Sequence, residues 1–152
     1  MKEHVSEIRR DVALQLRKLL EDRALTTVFQ PIFGFREGRI IGYEALVRGP
    51  EGSLIETPAE LFAAAKAEGV AVELNLMCVQ EILRAFAGRK LAGSLFVNAS
   101  PQLIVQRGFD QQRAARFLES LGIEPQQVVI ELTEDYPTVD FKLVHESLML
   151  YR

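Results

Sequence analysis

Glu44, Asn98 and Glu131 are the side chains in this sequence whose types and placement most suggest chemistry. Each stands toward the C-terminal end of a short apolar run, in GYEALVR, LFVNAS and VVIELTED. Taken singly, each has an ordinary reading. Glu44 fits an exposed strand face, and Glu131 fits a solvated strand end beside Thr133, Glu134 and Asp135, because carboxylates are mostly exposed. Asn98 fits a cap on the segment that follows. Taken together, two carboxylates and one carboxamide at strand ends would converge on the face where α/β sheets and barrels keep their sites. A donor set made only of oxygen suits Mg²⁺ or Mn²⁺ and not zinc or copper. Gln30, inside the apolar run VFQPIF, is a signal of a second kind, since a buried amide must find partners or cost stability. Arg48 reads either as a surface arginine or as a planar fork for a phosphate.

These residues need elements to position them. Val5, Ile8, Val12, Leu16, Leu19 and Leu20 recur at steps of three or four, which predicts an amphipathic helix over residues 1–23. It is either packed on its own domain or a linker or dimer helix. Leu25–Phe33 and Arg39–Arg48 are β-rich runs around a Gly34–Gly38 turn and predict a hairpin. Thr57, Pro58 and Glu60 form a capping-box signature for a helix that stops at Gly69. A long helix follows over Val72–Ala87, with Leu76, Val79, Leu83 and Phe86 on one face and Gly88 as its stop. Ser94–Ala99 and Val128–Leu132 read as apolar strands covered on both faces. A loop or helical turn begins at Ser100-Pro101, and Gln111–Leu121 reads as a helix closed by Gly122. Thr138 or Asp140 would cap a last helix bearing Val144 and Leu148. This alternation of strand and helix predicts an α/β fold with parallel strands. The chain ends at Leu150-Tyr151-Arg152 without Gly, Pro or a polar tail, which reads as a chain cut within its fold.

Composition narrows the function classes. With 48% apolar and 26% charged residues, the chain resembles an average globular domain, and disorder is excluded as the leading reading. One cysteine allows neither an intramolecular disulfide nor a Cys-based zinc site. Cys78 reads as a small buried apolar residue, Phe62 and Phe86 as core, and His4 and His145 as solvated or capping. A net charge of -3, with no Lys/Arg block longer than two, argues against DNA or RNA as a partner. No apolar run reaches the roughly 18 residues of a membrane span, and the charged N-terminus lacks a secretory h-region. A cytoplasmic protein is expected.

Four motifs in order resemble one family. Tyr43-Glu44-Ala45-Leu46-Val47-Arg48 resembles the signature of EAL domains, the cyclic di-GMP phosphodiesterases of bacterial signalling. Phe29-Gln30-Pro31-Ile32 resembles the family's QPI strand, Phe96-Val97-Asn98-Ala99-Ser100 its VN-x-S strand, and Ile130-Glu131-Leu132-Thr133-Glu134 its ELTE strand. The resemblance implies a partial TIM-like (β/α) barrel with an antiparallel first strand, preceded by the N-terminal helix. The division would be residues 1–23 as helix or linker and 24–152 as a truncated EAL domain. It implies that Glu44, Asn98 and Glu131 ligate Mg²⁺ or Mn²⁺, and that Gln30, Leu46 and Arg48 contact cyclic di-GMP, with linear pGpG as product. Two divalent ions about 3.5–4 Å apart suit such an in-line displacement.

A complete barrel of this kind takes about 250 residues. The later family motifs, including a DDFG-like strand and its following lysine, are absent here. The catalytic set is therefore incomplete, and this chain alone is expected to be inactive. An open sheet leaves an unpaired edge, to be covered by a second copy, another chain or further sequence. Self-association through that edge or the N-terminal helix is expected, as is a neighbouring GGDEF or sensor domain. The rival reading is a non-catalytic cyclic di-GMP receptor or interaction module acting through its N-terminal helix.

Overall fold

The computed structural model describes residues 2–105 and 111–132. Along the chain run α1 (Lys2–Asp22), β1 (Thr26–Gly34), β2 (Arg39–Arg48), α2 (Pro58–Ala67), α3 (Ala71–Arg89), β3 (Ser94–Ala99), α4 (Pro101–Val105), α5 (Gln111–Ser120) and β4 (Val128–Leu132). A 3₁₀ turn over Pro125–Gln127 leads into β4. The expected last helix, with Thr138, Asp140, Val144, His145 and Leu148, lies outside the described residues.

The four strands form one sheet in the order β1-β2-β3-β4. β1 and β2 make the expected antiparallel hairpin, while β2–β3 and β3–β4 are parallel. Parallel neighbours need crossovers, which α2 and α3 supply between β2 and β3 and α4 and α5 between β3 and β4. The result is a mixed α/β unit with a partial barrel sheet and an antiparallel first strand.

The core lies between one face of the sheet and the helices. Ala45, Val47, Leu95 and Val97 point to it from the strands, and Leu61, Ala65, Leu74, Met77, Cys78, Ile82, Leu83 and Phe86 from α2 and α3. Leu16 and Leu19 of α1 enter the same core, each 1% exposed. The apolar stripe of α1 is therefore used unevenly. Val5 and Ile8, expected on the packed face, are 48% and 42% exposed. The packed end of α1 is also tied to the loop after β2, where the Leu54 N–H donates to Gln15 Oε1 at 2.8 Å.

α2 begins with the predicted capping box. Thr57 Oγ1 accepts from the Glu60 N–H, and Glu60 Oε2 accepts from the Thr57 N–H. The Thr57 hydroxyl also donates to Glu60 Oε2 at 2.7 Å, and this bond, followed by that from the Thr57 N–H, holds the Glu60 carboxyl below its ordinary range.

Three expectations need correction. α3 does not stop at Gly88; it runs to Arg89 and ends where Lys90 takes a left-handed conformation, φ 51°. Tertiary contacts hold these two extra residues: the Arg89 guanidinium donates to the Thr27 carbonyl at 3.2 Å and lies 5.0 Å from the centre of the Phe29 ring. Leu76 does not belong to the buried stripe; it is 38% exposed, while Leu74, Cys78 and Ile82 are buried. α3 is apolar over most of its circumference, so periodicity alone could not choose which face meets the sheet. β4 is not covered on both faces; Ile130 and Leu132 are 39% and 37% exposed, because β4 is the sheet's last strand among the described residues.

Candidate functional site

Side chains alternate across a strand, and the register decides which ones share a face. Ala45 and Val47 face the helices, so Glu44, Leu46 and Arg48 face the other way. Gln30 is the direct antiparallel partner of Glu44 and joins it on that face, exposed and not the buried amide its apolar run implied. Asn98 alternates with the buried Val97 and Ala99, and its parallel partner is Glu131. The six residues singled out from the sequence thus come from four strands and share the face turned away from the helices. Phe96 and Val129 are register partners on that same face.

Asn98 and Glu44 make direct contact. Asn98 Nδ2 donates to Glu44 Oε1 at 3.0 Å, and the pair is half-buried. The hydrogen bond commits one of the two N–H donors of the Asn98 side chain to the carboxylate. Oδ1 is left over as an acceptor, and so are the remaining lone pairs of Glu44. Glu131 is exposed on the outer strand. The donor set available to a cation is therefore all oxygen, as a hard divalent ion requires. No group of three or more His, Cys, Asp or Glu gathers among the described residues, so these two carboxylates and one amide are the described part of any such site.

Glu44 is mid-strand, not terminal. β2 continues four residues beyond it because β1 pairs with it as far as Arg48, whereas β3 leaves β2 at Ala45. That extension carries Leu46 and Arg48 past the end of the parallel pairing. Arg48 is half-buried and spends one nitrogen, Nη1, on the Val47 carbonyl at 2.8 Å. The chain turns sharply after it: a Cβ on Gly49 would run into the Ile55 carbonyl, so only glycine fits there. The Gly49 N–H donates to the Glu56 carbonyl at 2.8 Å and closes the loop.

One polar residue at this end was missed from the sequence. Asn75 is buried in α3, and its Oδ1 accepts the Ser100 backbone N–H at 2.9 Å. A polar residue interrupting the apolar stretch from Leu74 to Val79 was the available signal. Cys78 is buried as expected, and burial pushes its thiol up to about 12.

Comparisons with known proteins agree on this architecture. A family model described as "EAL domain" matches residues 13–149. An uncharacterized protein of Mycobacterium tuberculosis strain H37Rv is 30% identical over 149 residues, covering 93% of this chain and 24% of the relative. The chain thus spans about a quarter of the length of that relative. Among solved structures, the FimX EAL domain of Xanthomonas citri in complex with c-diGMP superposes with a TM-score of 0.79 at 18% identity, over 99% of this chain and 59% of that one. The phosphodiesterase PaMucR in its c-di-GMP complex gives 0.73 at 24% identity, over 92% and 58%. BlrP1 of Klebsiella pneumoniae, with calcium and cyclic diGMP, gives 0.71 at 25% identity, over 85% and 32%.

Proposed function

The chain belongs to the EAL domain family, and from that premise we propose that it forms part of a cyclic di-GMP signalling domain that hydrolyses cyclic di-GMP to linear pGpG. The observation that carries this reading is the Asn98–Glu44 contact with Gln30 and Glu131 in register on either side. A receptor that only binds the dinucleotide has no need of two carboxylates beside an amide on its binding face. Solved neighbours with calcium or manganese support a divalent ion in such folds, and we assign Mg²⁺ or Mn²⁺ as the physiological choice.

In this reading Glu44, Asn98 and Glu131 hold the cation. The bond from Nδ2 fixes the Asn98 amide so that Oδ1 faces outward, and it orders the Glu44 carboxylate in return. A divalent ion held there supplies charge stabilisation at the phosphoryl oxygens and an acidified water. Arg48 keeps donors free beyond its bond to Val47 and presents them to a phosphate. Leu46 and Gln30 offer the dinucleotide an apolar surface and an amide on the same face. The chain covers 59% of the Xanthomonas citri EAL domain structure, and the remaining catalytic groups would come from the rest of the domain. The exposed first turns of α1, with Val5 and Ile8, would connect to an upstream GGDEF or sensor module, or to a second copy. No described helix is long and apolar enough to cross a membrane.

The test is chromatographic assay of pGpG formation by the complete domain and by the 152-residue chain. The complete domain should produce pGpG with Mg²⁺ or Mn²⁺ and stop on chelation, and Glu44→Ala should lower the rate by at least about 100-fold, beyond the 10–100-fold typical of outer partners. The 152-residue chain alone should produce none. Tight cyclic di-GMP binding without hydrolysis by the complete domain would make the receptor reading the correct one.

A further inference from the structure

Asn75 is out of place by composition. It sits in α3 among Leu74, Met77 and Cys78, 5% exposed, on a face that packs apolar side chains. Burying an amide there costs stability unless it is hydrogen-bonded. Its partner explains the position. β3 leaves β2 after Val97 and leaves β4 after Ala99, so the Ser100 N–H has no ladder partner. Ser100 is itself buried, 4% exposed, and Pro101 after it has no N–H to offer. Asn75 Oδ1 accepts this orphan donor at 2.9 Å. Ser100 then caps α4, its Oγ and its carbonyl both taking the Leu103 N–H, at 3.3 and 3.0 Å.

We infer that Asn75 is a positioning residue for Asn98: it ties the exit of β3 to α3 and so holds the Asn98 amide against Glu44. Ser100 is two residues after Asn98, and fixing its peptide plane limits rotation of the strand end that carries the amide. The anchor itself is rigid. α3 is tied to β1 by Arg89 on the Thr27 carbonyl and to the end of α1 by Arg23, which bonds Glu81 at 2.6 Å and Gln80 at 2.7 Å. An apolar residue at position 75 would pack as well and leave the strand end loose. The consequence for metal binding rests on the site proposed above.

The test uses the intact chain with Asn75→Leu, which removes the acceptor at similar volume, and Asn75→Asp, which keeps an acceptor oxygen. Three readouts are taken on folded protein: the side-chain amide signals of Asn98 and the exchange of the Ser100 N–H in ¹⁵N–¹H spectra, and Mn²⁺ affinity by titration calorimetry. Asn75→Leu should shift the Asn98 signals toward those of a free amide, speed exchange of the Ser100 N–H, and weaken Mn²⁺ about 10–100-fold. Asn75→Asp should restore all three. If Asn75→Leu lowers the melting temperature but leaves the Asn98 signals in place, the residue is merely structural and the inference is overturned. Failure of Asn75→Asp to restore them overturns it too. Should Asn75→Leu not fold, Asn75→Ser withdraws the acceptor oxygen from the Ser100 N–H and is read by the same signals. If the unmutated chain binds no Mn²⁺, the metal readout moves to the complete domain, and the Asn98 and Ser100 signals alone decide the positioning role.

Discussion

Glu44 and Asn98 are 54 positions apart in sequence and meet through one hydrogen bond. Neither residue type is unusual on a strand. Their meeting depends on β2 and β3 being parallel neighbours in a register that sets Glu44 beside Phe96. Cys78 shows the same dependence on surroundings. Its thiol is raised to about 12 by burial, from an ordinary value of 9.0. In the unfolded chain the thiol loses its proton near pH 9, while in the folded chain it keeps it. Folding stability contributed by this group is therefore complete below about pH 9 and falls as pH rises toward 12. Denaturant midpoints measured from pH 8 to 11 should decline, and Cys78→Ala should flatten that decline. At pH 8 the native thiol should react with a disulfide reagent far more slowly than the denatured one.

At the scale of single elements, helix ends and helix faces make separable contributions. Thr57→Ala removes the side-chain half of the α2 capping box and should cost about 1 kcal/mol in urea unfolding. Glu60, whose carboxyl is lowered by the Thr57 contacts, contributes its share above the ordinary carboxylate pKa, and that share is lost as pH falls through the depressed value. The Thr57→Ala cost should therefore shrink in acid. For α1, the uneven burial predicts an uneven mutational profile. Leu16→Ala should cost about 2–5 kcal/mol, as a core truncation does. Ile8→Ala, at a site 42% exposed, should stay within about 0.5 kcal/mol. Equal costs at the two positions would mean that the first turns of α1 are also packed on the domain.

For the whole molecule, the decisive feature is a sheet with two outer strands among the described residues. β1 and β4 flank it, and Ile130 and Leu132 of β4, in register with Val97 and Ala99 on the helix-facing side, are exposed. Unpaired edges and apolar strand faces are templates for association. Sedimentation velocity of the 152-residue chain over rising concentration should show self-association. Ile130→Lys with Leu132→Lys should reduce it without changing the unfolding free energy by more than about 0.5 kcal/mol. A strictly monomeric chain at high concentration would place the covering surface elsewhere.

The sequence alone determined the α/β class, the hairpin, the α2 cap and the family, because each rests on local information. Alternation, turn residues, a four-residue cap and short contiguous motifs are all readable without knowing what packs on what. It also singled out Gln30, Glu44, Leu46, Arg48, Asn98 and Glu131, since those motifs lie in single strands. The tertiary structure decided the rest. It kept Val79, Leu83 and Phe86 of α3 at the core, added Leu74, Cys78 and Ile82 and left Leu76 out, carried α3 past Gly88 through Arg89 on Thr27 and Phe29, and left β4 half-exposed. It also gave Asn75 a purpose, because the orphan N–H of Ser100 exists only once β3 has parted from both neighbours. Local patterns state which faces and ends are available to a segment; the free energy of packing and of satisfying buried polar groups, which only the assembled molecule sets, chooses among them.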